Sequence, residues 1–243
     1  MILLGSPLVL GWLALVSFIA GAAKGMTGFG AALVMAPLFS LLIGVPEAGV
    51  LIVLVHCVTS MQGARSWVGQ VRWRAVAPLA LVAVASTAAS ASAIMHADST
   101  AMRHLVACAV LIVTGMHMLG WRWRHRGGWL PTVAAGAASG ALTALGGLGG
   151  PPALYYFNGF AQGPALRANL LGYFALLFCA ATAILAMEKR ISVAHLCTAG
   201  ALTPAFVAGV ELGERLSKRL APCWFDRLVS ALLLSSGLLA LMT

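Results

Sequence analysis

Of 243 residues, 61% are hydrophobic and 9% charged, and the mean hydropathy is +0.96. A soluble domain carries roughly 25% charged residues, so this chain cannot cover a water-facing surface. Its net charge of +9 does not point to nucleic acid, because the basic residues sit in short gaps between apolar runs: Arg65, Arg72 and Arg74; Arg122, Arg124 and Arg126; Arg215, Lys218 and Arg219.

That placement follows the positive-inside rule, and Trp67, Trp73, Trp121, Trp123, Trp129 and Trp224 flank the same gaps as interfacial anchors do. Apolar stretches of roughly 18 or more residues recur, as membrane-crossing helices require. The expected fold is an all-α polytopic membrane protein, a single transmembrane domain in a lipid bilayer, with no nucleic-acid partner.

In chain order the helical runs fall at about 7–24, 26–44, 46–64, 74–95 and 103–121, then about 129–146, 149–160, 165–187, 192–213 and 223–242. No Lys or Arg precedes the first run, so it reads as a retained helix rather than a cleaved signal. The second and third runs of each half are short or interrupted, which predicts eight to ten spans with some segments re-entrant. Five cysteines, mostly in apolar runs, suggest no disulfide framework.

One segment occurs twice: GAAKGMTGFGAALVMAP at 21–37 and GAASGALTALGGLGGPP at 136–152. Aligned without gaps at an offset of 115, they share six of seventeen residues, including both glycines of G-x-x-x-G and the last proline. Paired apolar segments interrupted by Gly and Pro at matching places in two halves point to a transporter binding site. The expectation is therefore two repeats, about 1–122 and about 129–243, with broken or re-entrant helices at 21–37 and 136–152. Loops 65–74 and 122–126 hold three arginines each, whereas 96–103 between them has one Arg and one Asp. In the second half the loop matching 96–103 is 214–222, which holds three basic residues. A bias that flips between repeats predicts inverted topology.

Lys24 is the only charged residue between Met1 and Val45 and falls in the first repeated segment. An ionisable residue at membrane depth is a functional candidate; the alternative is a lysine snorkelling to the headgroups. Gly21, Gly25, Gly136 and Gly140 have the spacing of close helix packing. The dense run Gly146, Gly147, Gly149, Gly150 before Pro151 and Pro152 favours non-helical backbone. A half-helix starting near Pro151 would turn its positive end toward that break, which suits an anion. Thr27, Ser139 and Thr143 bring hydroxyls to the two breaks, although such groups commonly bond their own backbone.

Cys57 and Cys179 occupy similar places late in the third run of each half, HCVTS against FCAAT, as soft polar contacts near a symmetric site. The expected substrate-binding set is thus Lys24, Gly25, Thr27, Gly28, Gly30, Cys57, Ser139, Thr143, Gly146, Gly147, Gly149, Gly150 and Cys179. Arg167 reads as an interfacial charge beside Gly163-Pro164. His104 and Cys108 lie four apart but lack a third ligand, so no metal is expected, nor any cofactor or catalytic group. The six acids fall near helix ends. Coupling to protons therefore has no mid-run carboxylate to support it; Glu47, Glu211 or a histidine stays open.

The stretches Lys24–Pro37 and Ser139–Pro152, and the ending Gly209–Leu216 of the ninth run, resemble the TauE/SafE family of sulfite exporter-like proteins. The resemblance extends over nearly the whole chain; in the first half Ala31-Ala32 stands where the second has Gly146-Gly147. It implies export of a small sulfur-containing or organic anion, such as sulfite, sulfoacetate or a related sulfonate, by a multi-pass protein of the bacterial inner membrane. A homodimer stays open. The competing reading within transport is a ten-helix drug/metabolite-type carrier. A membrane enzyme or thiol sensor finds no clustered nucleophile, base and orienter to support it.

Overall fold

The computed structural model describes residues 6–28, 30–62, 64–94, 99–119 and 128–217. The tenth run, about 223–242, and the basic loop 122–126 lie outside the described residues. Within them the chain is helical throughout: α1 (Pro7–Thr27), α2 (Ala31–Ile43), α3 (Val45–Ser60), a short α4 (Ala64–Trp67) followed by a 3-10 turn, α5 (Trp73–Ile94), α6 (Ser99–Met118), α7 (Trp129–Gly146), α8 (Gly150–Asn158), α9 (Gly163–Met187) and α10 (Val193–Ser217).

The helix ends have local causes. Pro7 starts α1, where its missing N–H costs nothing, and Gly28 ends it at φ 82°, its N–H reaching the Lys24 carbonyl at 2.6 Å. Gly30 (φ 92°) admits α2, and Gly44 (φ 83°) separates α2 from α3. Gly147 (φ 75°) closes α7 in the same left-handed manner, its N–H bonding the Thr143 carbonyl. Unwound backbone is therefore narrower than the repeated motif. Gly21 to Thr27 and Gly136 to Gly146 are helical; among the described residues the two segments are interrupted at Gly28 and Gly30 and at 147–149. Pro37 lies inside α2, and Pro151 and Pro152 open α8.

Among the described residues four helical stretches are long and apolar enough to cross a membrane: Pro7–Met26, Trp73–Ser90, Gly163–Met187 and Val193–Leu216. By length, α2, α3 and α8, with 13, 16 and 9 residues, span only about 20, 24 and 14 Å, less than a hydrocarbon core of roughly 30 Å. The expectation of eight to ten spans allowed some of these short runs to be re-entrant. The glycine breaks shorten them.

Helices pair across the two halves. α1 packs most extensively on α10, and α5 on α7. A methyl group added at Gly21, Gly25, Gly209 or Gly213 would come within 2.2 Å or less of a carbonyl oxygen on the facing helix. Gly140 has the same relation to the Ala83 carbonyl. Ser86 donates to the Ala137 carbonyl at 2.8 Å and Thr87 to that of Gly140 at 3.1 Å. Small residues thus bring backbones together where lipid offers no hydrophobic driving force.

Two apolar cores result. One gathers Leu13, Met35, Phe39, Leu51 and Phe206; the other gathers Leu79, Phe157, Tyr173 and Phe178. α3 feeds both and lies against α9 and α10. Large apolar side chains cover the outside, among them Leu8, Leu81, Ile112, Trp129 and Met187. A surface of that kind belongs in lipid.

Candidate anion site

The two interruptions meet. A cavity enclosing about 330 Å³, its open mouth included, is lined by Lys24 of α1, Gly30 to Leu33 at the start of α2, His56 of α3, Gly147 and Leu148 of the second break, Gly150 and Pro151 at the start of α8, and Phe174 and Phe178 of α9. Two helix N-termini therefore open onto the same space. The first N–H groups of α2 have no acceptor within the helix, α8 contributes that of Gly150 before its two prolines, and both starts carry the positive end of the helix dipole.

Lys24 sits in the last turn of α1, in intact helix rather than unwound chain. Only 6% of it is exposed, and its Nζ has no hydrogen-bond partner among the described residues. The ammonium lies 5.3 Å from the centroid of the Phe206 ring, a cation–π contact. Such a contact compensates only part of the loss of water around a buried charge. Arg167 adds like charge nearby, but its own guanidinium is paired with Glu214. The sequence placed Arg167 at an interface; its stem lies 3.5 Å from where a side chain on Gly28 would begin.

His56 is the residue that sequence reasoning passed over as a site member. It is buried, and its Nδ1 lies 2.8 Å from the Ile52 carbonyl, so Nδ1 carries the hydrogen and Nε2 is left as the acceptor in the neutral ring. Phe178 and Phe206 hold the imidazole, with centroids at 4.9 and 5.4 Å. A signal was present: His56 is the one histidine in the third apolar run, about 46–64.

Of the other expected site residues, Gly30, Gly147 and Gly150 line the cavity. Gly25 is taken up by the contact with Val210, and Gly146 by Ala36 and Val106. Gly28 borders Arg167, and Thr27 closes α1. Ser139 bonds both the Gly149 carbonyl and the Tyr173 hydroxyl, and Thr143 donates to the Ser139 carbonyl at 2.8 Å. These hydroxyls hold the second break in shape rather than face the cavity. Gly149 has no room for a side chain, since one would start 2.1 Å from the Thr143 hydroxyl. Cys57 and Cys179 meet each other, Sγ to Sγ 3.7 Å, where α3 crosses α9, and are not cavity walls.

A second cavity, about 500 Å³, lies at the other end of α3, lined by Val45, Pro46, Val53, Thr143, Leu185 and Arg190 among others. Close by, Glu47 pairs with His195. Between the cavities Gly147 lies against Ile52, where a methyl group would start 2.7 Å from the isoleucine Cγ2. Among the described residues no group of three or more His, Cys, Asp or Glu side chains could hold a metal ion.

Compared with known proteins, residues 13–240 match the family model described as Sulfite exporter TauE/SafE. No curated protein and no solved structure matches the chain.

Proposed function

The chain belongs to the sulfite exporter TauE/SafE family, whose members are membrane transporters, and from that membership we propose that it exports a small sulfur oxyanion or organic sulfonate across the bacterial inner membrane. One observation carries the reading. A buried ammonium, Lys24, has no hydrogen-bond partner among the described residues and faces a cavity onto which two helix starts open. A cation so placed favours a ligand that brings negative charge and acceptor oxygens. The backbone N–H groups at the start of α2, with that of Gly150 in α8, complete the shell, as they do at anion sites on helix starts.

The chain acts as a carrier made of two inverted repeats, with a broken-helix segment from each repeat at the site. Helix directions support this. Gly21 and Gly25 meet Phe206 and Val210 in rising order, and Gly136 and Gly140 meet Leu79 and Ala83 likewise, so α1 runs parallel to α10 and α7 to α5. The Glu47–His195 pair ties the start of α3 to the start of α10. The Arg72 N–H to Asn169 bond, 2.8 Å, ties the start of α5 to that of α9, at the other end of α3. α1 and α7 then enter from opposite faces. The Ile52–Gly147 contact is the gate between the two cavities.

The test is flux of labelled sulfonate into proteoliposomes. Lys24→Met keeps the apolar stem and removes the charge, and it is expected to lower flux at least 100-fold while the protein still inserts and elutes as the wild type does. Undiminished flux would remove Lys24 from the site. Wild-type flux of an apolar or cationic solute that ignores external anions would favour the drug/metabolite-type carrier instead.

A further inference from the structure

Lys24 and His56 reach one cavity from two helices, and they do so with opposite needs. The lysine arrives charged and, among the described residues, without a hydrogen-bond partner; the histidine arrives with Nδ1–H committed to Ile52 and with Nε2 able to take a proton. In a site walled by Leu33, Leu148, Phe174 and Phe178 a second positive charge beside the first is strongly disfavoured. The empty site therefore holds a single cation. An anion changes the balance, because a buried assembly is tolerated when its charges cancel.

We infer that Lys24 and His56 form a charge-matching pair: a singly charged anion is held by Lys24 alone, whereas a doubly charged oxyanion is held together with one proton on His56 Nε2. The inference rests on the anion-exporter reading and deepens it by stating the substrate charge and its coupling. In both loaded states the site carries no net charge. The proton enters with the dianion from the side where it is bound, resides on Nε2, and leaves with it on the other side. Nothing is oxidised or reduced. Each cycle then moves one net negative charge for either substrate.

The other titratable groups facing α3 do not replace this pair. α9 presents Arg167, paired with Glu214 of α10, and Cys179, in contact with Cys57. α10 presents His195, paired with Glu47. α6 contributes His104 and Cys108, both on the exposed side. Glu211 of α10 is exposed, and Tyr173 of α9 is bonded to Ser139. Among the described residues, Lys24 is the charged group that lines the same cavity as His56.

The probes are sulfoacetate, a dianion, and methanesulfonate, a monoanion, offered to proteoliposomes loaded with a pH-sensitive dye, with protein-free vesicles as the blank. For wild-type protein, the expected result is about one more proton moved per sulfoacetate than per methanesulfonate. In His56→Gln the proton count per sulfoacetate moved falls to the methanesulfonate value, whatever rate remains. Should that variant transport too slowly, proton uptake on sulfoacetate binding to the detergent-purified protein gives the same comparison. Equal proton counts for the two anions in the wild type overturn the inference, as does an unchanged count in folded His56→Gln. Flux of neither anion in the wild type overturns the exporter reading itself. Flux of both with equal proton counts spares that reading and removes only the pairing.

Discussion

Gly147 illustrates how one residue can serve backbone and packing at once. Its φ of 75° lies in the left-handed region, and its missing side chain lets Ile52 approach. Gly147→Ala is expected to lower stability by about 1–2 kcal/mol from the backbone alone, with a further loss from the clash. Adding Ile52→Ala should recover the steric part and leave the backbone part. Melting curves of the single and double variants in detergent separate the two, and equal melting of Gly147→Ala and wild type would refute the account. Lys24 was legible in the sequence because a single charge in a long apolar stretch stands out whatever its surroundings. His56 was not, because a histidine in an apolar helix acquires meaning only from what faces it, here Lys24, Phe178 and Phe206.

Among elements, the α1–α10 pair shows why a motif can be found correctly and still have its role divided. The segment 21–37 combines two functions in adjacent turns: Gly21 and Gly25 face α10, and the helix gives way at Gly28 and Gly30. Alanine favours a helix by about 1 kcal/mol over glycine, yet at Gly25 its methyl would meet the Val210 carbonyl at 2.1 Å. Gly25→Ala is therefore expected to be destabilising by about 1–3 kcal/mol. Gly11→Ala, on the same helix with nothing within 4 Å, is expected to be neutral or stabilising by up to about 1 kcal/mol. A thermal shift of the same sign and size for both would refute the packing argument.

The crossing of α3 and α9 offers a second check. With Sγ atoms 3.7 Å apart, mild oxidation should join Cys57 and Cys179. The bridge is read by mass spectrometry as a linked peptide pair and lost in Cys57→Ser. Failure of the bridge to form would mean that the two helices do not cross there.

For the molecule as a whole, the pairing of α1 with α10 and α7 with α5 interlocks the two halves, so neither can bury its glycine faces alone. Inverted repeats make a topological prediction. The α2–α3 turn at Gly44 and the α8–α9 turn at Gln162 should lie on opposite sides of the membrane. In a cysteine-free background, Gly44→Cys and Gln162→Cys should react with an impermeant thiol reagent from opposite sides of oriented vesicles. Labelling of both from one side would exclude the inversion.

The sequence by itself determined that this is a helical membrane protein, roughly where most of its described helices run, and that two glycine-rich segments with one lysine are its unusual features. Those are local properties: hydropathy, helix-ending glycines and prolines, and isolated charge act over a few turns of chain. Only the tertiary structure decided that the two breaks share a cavity, that His56 joins Lys24 there, that the G-x-x-x-G pairs are used for packing, and that Cys57 meets Cys179. These facts depend on the rotation of each helix about its axis and on contacts between residues far apart in the chain, such as Gly21 with Phe206 and Cys57 with Cys179. An apolar helix with little amphipathic contrast does not encode which face turns inward, because lipid and protein interior are alike to it. Backbone approach at the glycines sets that rotation.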